Sequence, residues 1–293
     1  MHPRFAKPFS NLSTELQDAL APILNQDSFQ ARLTPDQVAT LKLATGMEDR
    51  ALRLALLPLA AACSVAPISN FYVGAIASGQ SGAWYFGANM EFAGQGLFHS
   101  IHAEQSAISN AWLGGETGIS EITVNYTPCG HCRQFMNELT TAKVIKVTLP
   151  DDHSPLQAFL PHSFGPADLQ ITDALMSHQE HGLTLTSEDP LTLAALAAAN
   201  RSYAPYSRGF AGVALEFANG RIIEGRYAEN AAFNPSLPPM QMACTHAVLA
   251  GEDLATLRRA VLVESKDGLI SQVDSARSAL KAVSGIALET IAI

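Results

Sequence analysis

The sequence predicts an α/β protein built from two copies of one layered unit, preceded by a short helical segment. Three observations predict it. Helix-type and strand-type stretches alternate from residue 48 to residue 148. A segment recurs 138 positions later in one ungapped register. The chain has 293 residues, enough for two hydrophobic cores, and its 47% apolar and 15% charged residues suit a compact protein.

The elements follow in order. Residues 1–47 read as a helical N-terminal segment: Thr34, Pro35 and Gln37 form a capping-box start, and Gly46 follows the expected helix end. An apolar helix is expected from Glu48 to Cys63, bent at Pro58. "YVGAIA" and "AWYFGA" flank the turn cluster "SGQSG" and predict a hairpin. A helix pattern begins near Ala103, "EITVNY" from Glu121 reads as a buried strand, a helix begins near Cys129, and "VIKVTL" from Val144 reads as a further strand. Residues 150–187 have little periodicity and read as a connection. One unit is therefore expected over 48–168 and the other over 187–293.

The repeat itself is carried by "APISNFYVGAIA" from Ala66 and "APYSRGFAGVAL" from Ala204. The same shift takes Gly87 to Gly225, Glu91 to Glu229, and "EITVN" to "RAVLV". Extended further, it sets His102 on Met240, Glu104 on Met242, Cys129 on Asp267 and Cys132 on Ile270. The second copy thus keeps the fold pattern without these four groups, so they are not needed merely to fold such a unit.

The formal charge of −9 lacks the basic footprint of a nucleic-acid binder. No apolar run is long enough for a bilayer, and "MHPRFAKPFSNL" lacks the apolar core of a signal peptide. The expectation is a cytoplasmic protein with no membrane or nucleic-acid partner and with reduced cysteines. Cys63 and Cys244 sit in apolar runs and are expected to be buried. Cys129 and Cys132, three positions apart, need another account.

His102, Cys129 and Cys132 are all of a type that zinc favours, and three protein ligands leave a position for water, as in catalytic sites. His131 lies between the cysteines and is a fourth candidate by spacing alone. Both clusters fall where helices are expected to start, and the positive end of a helix favours the thiolate; Arg133 adds charge of the same sign. Glu104 follows His102 by two residues. A glutamate at a helix start ordinarily only steadies the helix. Beside metal ligands it also stands where a general base for a zinc-activated water would be needed.

His102-Ala103-Glu104 together with Pro128-Cys129-Gly130-His131-Cys132 matches the pattern H-x-E…P-C-x-x-C, the zinc deaminase signature. With "CRQF" from Cys132 and "NMEF" from Asn89, the chain resembles the cytidine deaminases, in their long two-domain bacterial form, over residues 1–293. The resemblance implies duplicated three-layer α/β/α domains with mixed sheets. It implies one Zn2+ per chain, on His102, Cys129 and Cys132, and hydrolysis of cytidine and deoxycytidine to uridine and deoxyuridine with release of ammonia. Glu104 would move the protons, and Asn89 and Glu91 would meet the ribose hydroxyls. Phe71, which maps to Gly209, is either a stacking partner for the pyrimidine or a core residue. The family's tetramer of short chains implies that a duplicated chain forms a homodimer. Phe233, in "ENAAFNPSLPP", would then reach the partner subunit's pocket. Three other readings remain: a nucleic-acid base deaminase, against which stand the charge and "NMEF"; a non-catalytic zinc-stabilised binding module, against which stands Glu104; and a dithiol redox protein.

Overall fold

Glycines in the strands of two hairpins, near their open ends, let helices lie directly on the sheets, and this sets the architecture. In a computed structural model describing residues 1–26 and 29–293, the first half holds α1 (Ala6–Ser10), α2 (Thr14–Leu24), β1 (Arg32–Leu33), α3 (Pro35–Thr45) and α4 (Asp49–Ala61). There follow β2 (Gly74–Gly79), β3 (Trp84–Ala88), α5 (Ala103–Leu113), β4 (Ile119–Val124), α6 (Gly130–Met136), β5 (Lys146–Thr148), β6 (His153–Pro155) and α7 (Leu156–Phe159). The second half holds α8 (Pro190–Asn200), β7 (Ala211–Phe217), β8 (Ile222–Arg226), α9 (Pro239–Leu249), β9 (Leu257–Glu264), α10 (Val273–Val283) and β10 (Leu288–Ala292). Positions 27 and 28, inside the expected helical N-terminal segment, lie outside the described residues. No helix among the described residues is long and apolar enough to cross a membrane.

The two sheets repeat one topology. In the first, β2 lies between β3 and β4, antiparallel to both, and β5 continues parallel to β4. In the second, β7 lies between β8 and β9, antiparallel to both, and β10 continues parallel to β9. Even the irregularities match: the register shifts at Ser78/Gly79 and again at Glu216/Phe217.

A Cβ added at Gly74 would lie 2.5 Å from the Ala61 nitrogen, and one at Gly87 would lie 2.1 Å from the Ala107 nitrogen. So α4 and α5 press on opposite faces of the first sheet. Strand alternation sorts the side chains accordingly. Ile76, Trp84 and Phe86 join the core under α4, while Ala75, Ala77 and Tyr85 join the core around α5. That second core continues without a break into Ala243 and Ala247 of α9 and Val213 and Leu215 of β7, so the repeats share one interior.

The capping box at Thr34 and Gln37 is present, and Gly46 ends α3 in the left-handed region at φ 66°. Three expectations need correction. The N-terminal segment is helical as expected in α1, α2 and α3, but it also supplies β1, which pairs antiparallel with β3 and forms the edge of the sheet. Residues 150–187 are not a bare connection either: β6 extends the sheet beside β5, and Leu175 and Met176 are buried. Strands of two or three residues are too short to show a period.

The third correction concerns the repeat register. Gly87 abuts Ala103 and Ala107, whereas Gly225 abuts Pro239 and Ala243, a shift of 136 and not 138. The turn before α9 is two residues shorter than the one before α5, and the offset of 138 returns at β9. The structural counterparts of His102 and Glu104 are therefore Pro238 and Met240. Neither supplies an imidazole, thiolate or carboxylate, so the second unit still lacks the metal groups.

Candidate active site

The first turns of α5 and α6 meet beside the end of the first hairpin. His102 is the N-cap of α5 and Cys129 the N-cap of α6, both with extended backbone, and Cys132 lies one turn into α6. His102 Nδ1 stands 3.2 Å from Cys132 Sγ and 3.3 Å from Cys129 Sγ, with 3.8 Å between the sulfurs. A tetrahedral zinc needs donor separations of roughly 3.5–3.8 Å, given bonds of about 2.3 Å to sulfur and 2.0 Å to nitrogen. The cluster is close to that size, and its donors are of the right chemistry. Among the described residues it is the one group of at least three His, Cys, Asp or Glu side chains so arranged.

Within the cluster the three donors hold their protons unequally. The Cys129 thiol is pulled down to about 3 by its hydrogen bonding with Cys132, helped by His102. Cys132 is held well above the ordinary thiol value, because it bonds to that thiolate and is buried. The His102 imidazole is raised by its bond to Cys129. His131 lies outside the donor group; its ring sits 5.2 Å from that of His102.

Glu104 is only 5% exposed, and burial pushes its carboxyl above the usual carboxylate range. It is not one of the three clustered donors. Instead it lines, with His102 and Cys129, a cavity of about 590 Å³ that also receives Phe71, Asn89 and Glu91. That volume is in the range of small-molecule sites. The structure thus gathers seven of the eight candidate residues: the donor triad with Glu104, and Asn89, Glu91 and Phe71 around the same cavity. Phe233 is not in this wall. It belongs to the second unit, with φ 61° and 66% exposure.

Asn89 carries a structural duty that the sequence did not display, and Glu91 one to which its retained counterpart Glu229 pointed. Asn89 Oδ1 accepts from the Val73 N–H at 2.9 Å, and its Nδ2 donates to the Phe71 carbonyl at 2.9 Å. Glu91 accepts from the Ile68 and Ser69 N–H groups at 2.8 and 3.1 Å and from the Ser69 hydroxyl. Glu229 repeats each of these bonds with Tyr206 and Ser207. Both side chains retain unused lone pairs, and Asn89 one further N–H. Phe71 is half exposed and its ring lies 4.6 Å from that of Tyr126. Tyr126 and Thr127 also line the cavity and were missed; the available signal was an aromatic residue at the end of a strand, immediately before "TPCG".

In the second unit the corresponding space is filled. Tyr227 replaces Asn89 and is 6% exposed, Met240 is fully buried, and Ile270 fills the space beside Gly209.

The family described as "Cytidine and deoxycytidylate deaminase zinc-binding region" matches residues 47–148 and, through a second model of the same description, residues 156–277. The chain is 79% identical over 290 residues to a cytidine deaminase of Aeromonas hydrophila, covering 99% of both chains. It is 55% identical over 292 residues to one of Yersinia pestis, again covering 99% of both. A solved cytidine deaminase from Burkholderia pseudomallei is 30% identical, with a TM-score of 0.36, over 40% of this chain and all of that one. With both units matched by the family, full-length relatives of this identity and a donor set that suits zinc, the chain belongs to the cytidine and deoxycytidylate deaminases.

Proposed function

We propose that the protein hydrolyses cytidine and deoxycytidine to uridine and deoxyuridine, releasing ammonia, and serves pyrimidine salvage in the cytoplasm. The working unit would span residues 48–168, with 187–293 a degenerate repeat. The observation that carries the reading is a buried carboxylate, Glu104, sharing one cavity with the His102, Cys129 and Cys132 donors. These three residues would hold the zinc. When bound, zinc supplies a Lewis acid that makes water nucleophilic at neutral pH.

The chain's own groups then have defined work. Glu104 accepts the proton of the attacking water and returns protons to the ring N3 and the departing ammonia. Its raised affinity for a proton, caused by burial, suits a group that must take one up and give it back. Phe71 and Tyr126, whose rings lie 4.6 Å apart, both line the cavity and offer aromatic surface for a pyrimidine. Asn89 and Glu91 use their remaining hydrogen-bonding capacity on the sugar hydroxyls. The test is the fall in cytidine absorbance, with ammonia release, on mixing with the protein. A zinc-loaded sample that leaves cytidine intact would point to a binding module instead.

Asn89→Ala should weaken binding of cytidine about ten-fold or more, the scale of one or two lost hydrogen bonds. Free cytosine, with no sugar, should be affected far less. Equal losses for both, measured as kcat/KM, would make Asn89 a support for Val73 and Phe71 alone.

The assembly we propose is a homodimer in which Phe233 closes the partner subunit's cavity. Its support is the exposure of Phe233 at the apex of a loop, together with Ile68, Phe71, Leu97 and Phe98 exposed on the first unit. Phe233→Ala should raise KM several-fold, about the cost of one lost aromatic contact, with the dimer and the zinc intact. Sedimentation and Michaelis kinetics check this. A fully active wild-type monomer, or an unchanged KM in the variant dimer, would remove Phe233 from the site.

A further inference from the structure

The loop after β8 touches both helices that begin at the candidate metal ligands. On the α5 side, Gln105 Nε2 donates to the Pro235 carbonyl at 3.1 Å, while Gln105 Oε1 accepts from the His102 N–H at 3.4 Å. One buried amide thus links the backbone of a ligand residue to the other unit. On the α6 side, Asn230 Nδ2 donates to the Gln134 carbonyl at 3.0 Å, and Gln134 Nε2 donates to Asn230 Oδ1 at 3.3 Å. Two residues beyond α6, the fully buried Glu138 carboxylate accepts from the Ala231 N–H at 2.9 Å and the Tyr203 hydroxyl at 2.9 Å, and also from the Tyr206 hydroxyl.

The contact on α5 has a mirror. Gln241, the counterpart of Gln105 under the shift of 136, donates to His99 Nδ1 at 3.0 Å, and His99 is the counterpart of Pro235. The mirror bond joins the two units without touching either ligand-bearing helix. The geometry around Gln105 does more than join units.

We infer that the loop Asn230–Pro235 is a brace, acting within one chain, that fixes α5 and α6 relative to each other, and that Gln105 and Glu138 are positioning residues for the metal site. The physical need is plain. Zinc–ligand distances fall within about 0.2 Å of standard values, and the ligands here come from two separate helices. The helix α6 has only seven residues. A third element bonded to both helices removes their freedom to slide apart, as outer supports do for metal ligands generally. This gives the degenerate unit a task that does not depend on a dimer partner. It does rest on the ligand assignment above.

The experiment compares zinc transfer from dimeric holoenzyme to excess chromophoric chelator in wild type, Gln105→Leu and Gln241→Leu. Leucine keeps the approximate bulk and removes both amide bonds. Gln105→Leu should release zinc about five- to ten-fold faster, the scale of one or two ordinary hydrogen bonds. Its amide hydrogen exchange should rise in peptides covering 102–106 and 230–236. Gln241→Leu should release zinc at the wild-type rate, although it too breaks a bond between the units. Equal release from all three proteins, or equal acceleration in both variants, would overturn the brace. If Gln105→Leu does not fold, Glu138→Gln takes its place: it should quicken release in the same direction, and an unchanged rate would count against the proposal. A failure of the ligand assignment looks different. Cys129→Ala would then keep its zinc, while the exchange measurement would still report on the brace.

Discussion

Glu104→Ala should keep its zinc and lose turnover by about 10²–10⁴-fold, the usual contribution of a positioned acid–base group. The carboxylate is buried, lines the cavity and is not one of the three clustered donors. Its removal therefore takes away the proton carrier and leaves the donor set whole. Alanine also relieves the cost of a buried carboxyl, so the variant should fold at least as well as wild type. The check is turnover and zinc content measured on one preparation. A variant with near-normal turnover would reduce Glu104 to a helix-start residue. A variant without zinc would make it a ligand.

Cys129→Ala should lose zinc and activity together. Cys129 and Cys132 supply the two sulfurs of the triad, and no other His, Cys, Asp or Glu completes such a group among the described residues. Changes in the outer supports of a zinc site cost about 10–100-fold in metal affinity, and loss of a direct ligand should exceed that. Cys129 is the cleaner test of the pair, because it is exposed while Cys132 is buried. Truncating the fully buried Cys132 would open a cavity and add a folding cost. Retention of stoichiometric zinc in Cys129→Ala, shown by elemental analysis, would contradict the ligand assignment.

The parts of the fold legible in the sequence were those written locally. The hairpin around "SGQSG" appears as β2 and β3, and the capping box at Thr34 starts α3 where expected. The helices expected near Ala103 and Cys129 are α5 and α6, with His102 and Cys129 as their N-cap residues. The repeat was visible because strands β2–β4 and β7–β9 keep one spacing. It misled at α9 because the turn before that helix is two residues shorter.

What the sequence hid were bonds between distant positions. Nothing near Glu138 announces that it meets Tyr203, Tyr206 and Ala231 from the other unit. Gln105 reads as an ordinary polar residue of a first helical turn until Pro235 is brought against it. Asn89 and Glu91 were legible as cavity residues by resemblance. Their bonds to Phe71, Val73, Ile68 and Ser69 were not, since these depend on how the segment before β2 folds back.

The claim that one unit works and the other has lost its site is tested most directly by counting zinc per chain in an active preparation. Elemental analysis of wild-type protein that converts cytidine to uridine should give one zinc per chain, with turnover proportional to zinc as the metal is withdrawn and restored. Two zincs per chain, or full turnover with none, would contradict it.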